Sequence, residues 1–147
     1  MKNINVRIAR KEDAEPLFLL NKEFNGEGLA SVDFIRKALE ENMCEIVFVV
    51  EWDNVIAGFC CTHILKSMCY EYNHAEIAEL YIKAEYRKKG LATCLIQFCE
   101  TYCRENCNVN KMVLLTGKNN LQAQKFYKSI GFSNVDDEVL FAKYIRF

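Results

Sequence analysis

A chain of 147 residues, 51% apolar and 27% charged, has the composition of an ordinary globular protein, which excludes a disordered chain and makes one domain over 1–147 the natural count. No apolar run approaches the roughly 18 residues of a bilayer crossing, and Met1-Lys2-Asn3-Ile4-Asn5 lacks the apolar stretch of a signal peptide, so a soluble cytoplasmic protein is expected. A net charge of −1 argues against nonspecific nucleic-acid binding, although the 14 acidic and 8 basic residues through Leu80 give way to 6 acidic and 11 basic beyond it.

Asn5 to Ala9 alternates as a short strand. A helix follows through Leu17, Phe18, Leu19, Leu20 and Phe24, with Pro16 in its first turn, and Asn25-Gly26-Glu27-Gly28 breaks it. Ser31 reads as the N-cap of a second helix with Phe34, Ile35, Ala38 and Leu39 on one face, ending near Asn42. Ile46–Glu51 and Val55–Lys66 form a hairpin about Asp53-Asn54, and Gly58 marks a bulge or a close backbone approach. Ala75–Lys83 is a fourth strand; strict alternation sets Glu76, Ala78, Leu80 and Ile82 on one face and Ile77, Glu79 and Tyr81 on the other, unless a bulge intervenes. A basic turn then feeds a helix from Leu91 to about Asn106, followed by a strand Lys111–Thr116, a helix Asn119–Ile130 closed by Gly131, and a last strand Val139–Ile145. The order βααβββαβαβ describes a mixed α/β domain. Phe141, Tyr144 and Ile145 of the last strand serve either the core or a homodimer surface.

The eight cysteines read as reduced thiols, with Cys44, Cys60 and Cys61 at core positions. Cys99, Cys103 and Cys107 repeat every fourth residue, but ligands strung along about two helical turns cannot converge on one ion, so no metal is expected. His63 and His74 are the only histidines.

Chemistry concentrates in Arg87-Lys88-Lys89-Gly90-Leu91-Ala92. A strand-to-helix turn with a glycine, a small residue and three cations offers amides and charge to a diphosphate. Neither the Walker spacing nor the dinucleotide glycine pattern is present. This Arg-x-x-Gly-x-Ala turn, the preceding Ala75-Glu-Ile-Ala-Glu-Leu-Tyr-Ile82 and the later Asn120-x-x-Ala-x-x-Phe-Tyr-x-x-x-Gly-Phe132 together resemble the GCN5-related N-acetyltransferase (GNAT) superfamily over the whole chain.

The resemblance implies a mostly antiparallel sheet with a splay between strands four and five, and acetyl-CoA as co-substrate. It assigns the pyrophosphate to Arg87, Lys88, Lys89, Gly90, Leu91 and Ala92. The pantetheine arm goes to main-chain groups of Leu80, Tyr81 and Ile82 and to Asn120. It further implies direct acetyl transfer to a neutral amine, with Tyr127 protonating the leaving thiolate and Glu79, or else Glu76, removing the amine proton. The acceptor cleft would lie in the acidic half, with Glu27, Tyr70, Tyr72 and Glu79 against a cationic small amine. Phe24-Asn25-Gly26-Glu27 and the fourth-strand pattern look like aminoglycoside 6′-N-acetyltransferases. A protein or peptide amine is the alternative acceptor, and a noncatalytic acyl-CoA sensor the alternative of another class.

Overall fold

The structure is a computed structural model that describes residues 2–146. It divides into two compact units, Met1–Leu115 and Thr116–Phe147.

The first unit carries a sheet ordered β1-β2-β3-β4-β5, built from β1 (Ile4–Ile8), β2 (Glu45–Trp52), β3 (Val55–Leu65), β4 (Asn73–Ile82) and β5 (Val109–Leu114). The first four pair antiparallel, and β5 joins β4 in parallel. Asp53 and Asn54, at φ 49° and 68°, make the β2–β3 turn in the left-handed conformations that a two-residue hairpin requires. Helices α1 (Ala14–Asn25) and α2 (Val32–Glu41) follow β1, and α3 (Leu91–Asn106) follows β4. Ser31 caps α2 as the sequence indicates, its Oγ accepting from the Phe34 amide at 3.1 Å.

Side chains divide cleanly between the two faces of the sheet. Leu17 and Leu20 of α1 meet Val49 and Phe59, with Ile35, Leu39, Cys61 and Tyr81 packed around them. On the other face Phe48 packs edge-on against Phe98 and Tyr102 of α3. Thr62, fully buried, lies 3.1 Å from the Cys99 thiol there. Each fully buried Leu or Phe side chain contributes about 2 kcal/mol, so these two layers hold the sheet from both sides. Cys60, Cys99 and Cys103 are fully buried, whereas Cys44, expected in the core, is exposed: it lies in the turn before β2, where Asn42 Oδ1 accepts from its amide.

Two bulges shift the register. Val50 pairs with Gly58 and Glu51 with Ile56, which leaves Ala57 as the extra residue of β3. Cys61 pairs with Glu79 and Thr62 with Ile77, which leaves Ala78 as the extra residue of β4. Gly58 answers the close approach: a Cβ there would meet the Tyr81 carbonyl oxygen and Ile82 Cδ1, each at 2.5 Å.

The second unit holds α4 (Leu121–Ser129). The strand expected over Val139–Ile145 does not form; no described residue beyond α4 adopts regular structure. Alternation specifies a strand only where a neighbour pairs its backbone and a core takes one face. Here Phe141, Tyr144 and Ile145 are 90%, 94% and 80% exposed.

Gly58→Ala is expected to destabilise the protein by about 2 kcal/mol, because one clash is with backbone that cannot swing aside. Chemical denaturation measures this, and an unchanged midpoint would show that β3 and β4 separate without cost.

Candidate active site

β4 has two different halves. Its pairing with β5 runs from Asn73 to Ile77, opposite Leu114, and then stops. From Ala78 to Ile82 the edge toward β5 has no strand partner among the described residues. Leu80 and Ile82 turn their main-chain groups to that edge, the Ile82 carbonyl accepting from Arg87 Nε, while the Tyr81 carbonyl turns to Gly58 of β3. Extended backbone with unpaired N–H and C=O groups is a template for a ligand that hydrogen-bonds like a strand. This is the splay expected between strands four and five.

Beyond Ile82 the chain reaches α3 through a short 3-10 turn, Ala84–Tyr86. Gly90, the N-cap of α3, sits at φ 83° with open space around its missing Cβ, so backbone conformation and not crowding calls for glycine. No described side chain caps this helix, and its first helical bond is Cys94 N–H to the Gly90 carbonyl. The amides of Leu91, Ala92 and Thr93 precede that bond and point out of the helix start, where the dipole favours an anion. The uncapped helix start therefore fits a diphosphate.

The three cations of the turn are differently employed. Arg87 Nε donates to the Ile82 carbonyl at 2.7 Å, and its guanidinium lies 5.4 Å from the centroid of the Tyr81 ring. Lys89 Nζ lies over Trp52, at 5.6 Å. Lys88 holds a left-handed backbone at φ 60°. Arg87 thus braces the end of β4 just ahead of the start of α3. The Tyr81 hydroxyl donates to Glu23 Oε2 at 3.2 Å and its ring stacks on Phe24 at 4.9 Å, which ties the last turn of α1 to the same strand end.

The acidic strand carries the bulge that strict alternation left open, at Ala78. Cross-strand partners share a face, and Glu79 stands opposite Cys61 while Glu76 stands opposite His63. Cys61 and His63 are two residues apart on β3, so Glu76 and Glu79 lie on the same face, the one covered by α1 and α2. Glu45 of β2 completes the row, opposite His63, with its Oε2 2.9 Å from His63 Nε2. The sequence reading missed Glu45 and His63. Counting back from the hairpin turn sets Glu45 opposite Thr62; only the extra residue Ala57 brings His63 there.

Burial, and after it the charge of Glu45, pushes the Glu79 carboxyl above its ordinary range, while His63 pulls it down. Glu27 follows α1 in the loop beyond it, exposed and 3.2 Å from Lys22 Nζ. Tyr70 and Tyr72 are exposed on the β3–β4 loop, at the Asn73 end of β4. At about 3.3 Å per residue they stand about 20 Å along the strand from Glu79. Tyr70 and Tyr72 are therefore not gathered around Glu79.

Within the second unit, Asn120 is the N-cap of α4, its Oδ1 accepting from the Ala123 amide at 3.1 Å. At the other end the Gly131 amide bonds the Lys128 carbonyl and the Phe132 amide bonds the Tyr127 carbonyl, with Gly131 at φ 102°. This is a Schellman closure, and it folds Phe132 back edge-on against the Tyr127 ring, 5.8 Å between centroids. The signature from Asn120 to Phe132 is thus a helix with both caps and an oriented tyrosine.

Residues 10–132 match the acetyltransferase (GNAT) family, and the chain belongs to it. It is an N-acetyltransferase of that type. An uncharacterized N-acetyltransferase of Chlorobaculum tepidum is 27% identical over 136 residues, covering 90% of this chain and 77% of its own. An aminoglycoside acetyltransferase from an uncultured soil metagenomic sample, in complex with sisomicin, shares the fold with a TM-score of 0.83 at 18% identity, over 97% of each chain. The ribosomal-protein-alanine N-acetyltransferase from Brucella melitensis biovar Abortus 2308 does so with 0.77 at 19%, over 99% of this chain and 100% of its own. Among the described residues no helix is long and apolar enough to cross a membrane.

Glu79 is expected to titrate above the roughly 4.3 of a model glutamate, since burial and Glu45 both disfavour its charged form. A carboxyl carbon NMR titration checks this; a midpoint level with those of the exposed glutamates would contradict it.

Proposed function

We propose that this enzyme transfers an acetyl group from acetyl-CoA to a primary amine of a cationic small molecule, aminoglycoside-like or polyamine-like, in the cytoplasm. The observation that carries the reading is the face shared by Glu76 and Glu79, in a strand whose second half is open toward β5. Carboxylates on a half-buried face attract an ammonium and can take its proton.

Acetyl-CoA, when bound, supplies the acetyl group. Amides from Lys88 to Ala92 hold its diphosphate, the Arg87 amide being bonded to the Ala84 carbonyl, with Lys88 adding charge and Arg87 keeping the end of β4 in place. Main-chain groups of Leu80 and the Ile82 amide, on the open edge, pair with the pantetheine arm and polarise the acetyl carbonyl, while Tyr81, its carbonyl turned to β3, borders the site through its ring. The side-chain NH2 of Asn120 serves the same arm, its Oδ1 being engaged in the cap. Glu79 takes the proton that the amine nitrogen must lose, with Glu76 on the same face as the second acidic group. Tyr127 gives its hydroxyl proton to the departing sulfur. Glu27 adds negative charge beyond α1. Tyr70 and Tyr72 enter only for an acceptor long enough to reach them from Glu79.

A protein or peptide amine is the second reading, supported by the fold shared with a ribosomal-protein-alanine N-acetyltransferase. The exposure of Phe141, Tyr144 and Ile145 in the single chain favours a homodimer surface over a core role.

With acetyl-CoA and a panel of aminoglycosides, polyamines and N-terminal peptides, free thiol is expected with the small cationic amines. Glu79→Gln is expected to lower kcat/KM at least 100-fold. Turnover confined to peptides would transfer the assignment to protein amines. Tight acetyl-CoA binding with no turnover on any amine, unaltered in Tyr127→Phe, would sink the catalytic reading.

A further inference from the structure

Glu79 has company that the assigned chemistry does not use. One pair along from its partner Cys61, on the same face, stands His63, and beyond His63 on β2 stands Glu45. A carboxylate can only accept a hydrogen bond, so the 2.9 Å contact puts a proton on His63 Nε2, donating to Glu45 Oε2. The side chains of His63 and Glu45 are 40% and 25% exposed, so the pair runs from the covered strand face out to solvent. Its net charge depends on the imidazole. With a neutral ring the pair carries −1 and opposes a second carboxylate beside it; with an imidazolium it is neutral and the opposition is gone.

We propose that Glu45 and His63 are positioning residues of the acceptor site, a charge pair across β2 and β3 that sets how readily Glu79 accepts the proton of the incoming amine. The proposal rests on Glu79 being that acceptor. The electrostatics of the face agree, since Glu45 and His63 act on Glu79 with opposite signs. Other titratable groups share this face: His74 stands two residues before Glu76, opposite Leu65, and Arg7, Glu51 and Asp13 are tied to one another toward β1. Cys61, across from Glu79, is kept a neutral thiol, pushed up by burial, then by Glu45 and Glu79. Glu76 stands opposite His63 on the side away from Glu45. From α1, Glu23 accepts from the Tyr81 hydroxyl, and its Oε1 lies 3.9 Å from Lys83 Nζ.

The test reads two quantities in parallel: the carboxyl carbon titration of Glu79 in the protein without substrates, and the pH profile of kcat/KM with the best acceptor. Glu45→Gln removes the opposing charge, so the Glu79 midpoint and the acidic limb of the profile should both move down, by about 0.5 to 1 pH unit. His63→Gln removes the compensating cation, so both should move up by a similar amount. His63→Lys restores a cation and should return both toward the parent values, which a purely structural role for the imidazole would not predict. Should Glu45→Gln fail to fold, the contrast between the two His63 variants still decides. Shifts of the same sign in Glu45→Gln and His63→Gln, or none beyond about 0.2 unit, overturn the charge pair. Full activity in Glu79→Gln instead overturns Glu79 as proton acceptor. The titration without substrates separates these failures, because it reports on the pair whatever Glu79 does in turnover.

Discussion

One extra residue, Ala78, organises the middle of β4. It falls directly after Ile77, the last residue of the strand that pairs with β5, so the break in antiparallel register toward β3 coincides with the end of parallel pairing on the other side. A bulge adds local twist, and added twist draws a strand away from its neighbour. Ahead of Ala78, β4 is an interior strand of a sheet covered by helices; past it, the strand keeps β3 and opens its other edge. The same residue moves Glu79 onto the face of Glu76, His63 and Glu45. Access for a strand-like ligand and a concentrated set of carboxylates therefore have one origin in the backbone.

The helical and turn elements were largely legible because their signals are local. Gly90 and the apolar spacing behind it mark α3 at Leu91–Asn106, Ser31 marks the start of α2, and Asp53-Asn54 marks the hairpin. What escaped was register. Period-two counting assumes one residue for each residue across the sheet, and neither Ala57 nor Ala78 differs in type from an ordinary strand alanine. The exchange of faces at Glu79 and the meeting of Glu45 with His63 are tertiary outcomes of those insertions. The expected last strand failed for a different reason. Val139 to Ile145 has the alternation, but a period becomes a strand only beside another strand, and those side chains lie in the open.

The two charge blocks of the sequence also take on finer structure. The basic block does not act as a sum of cations, since Arg87 is bound to the Ile82 carbonyl and Lys89 rests on Trp52. Main-chain amides at the start of α3 have no described side-chain cap, and Lys88 and Lys89 lie in the turn just before them. The acidic block is equally selective. Glu51, with Asp13, is spent on Arg7, at 2.9 Å and 2.7 Å, holding β1 to β2 and to the start of α1. Burial raises the proton affinity of Asp13, and its hydrogen bonds to Arg7 and the Arg10 amide more than offset that, leaving it an ordinary charged anchor and not a site for chemistry.

Gly58 has a meaning for sequence drift. Every amino acid other than glycine carries a Cβ, and a Cβ there meets the carbonyl oxygen of Tyr81, so no substitution at this position is conservative. Gly26 and Gly28, in the loop after α1, have nothing within 4 Å of an added Cβ, and only their left-handed backbone restrains exchange. Position 58, beside the end of β4, is thus closed to variation, while the loop beyond α1 is free to change residue type wherever the turn can be remade. A lineage built on this scaffold can rebuild that loop while the pairing of β3 with the end of β4 stays where it is.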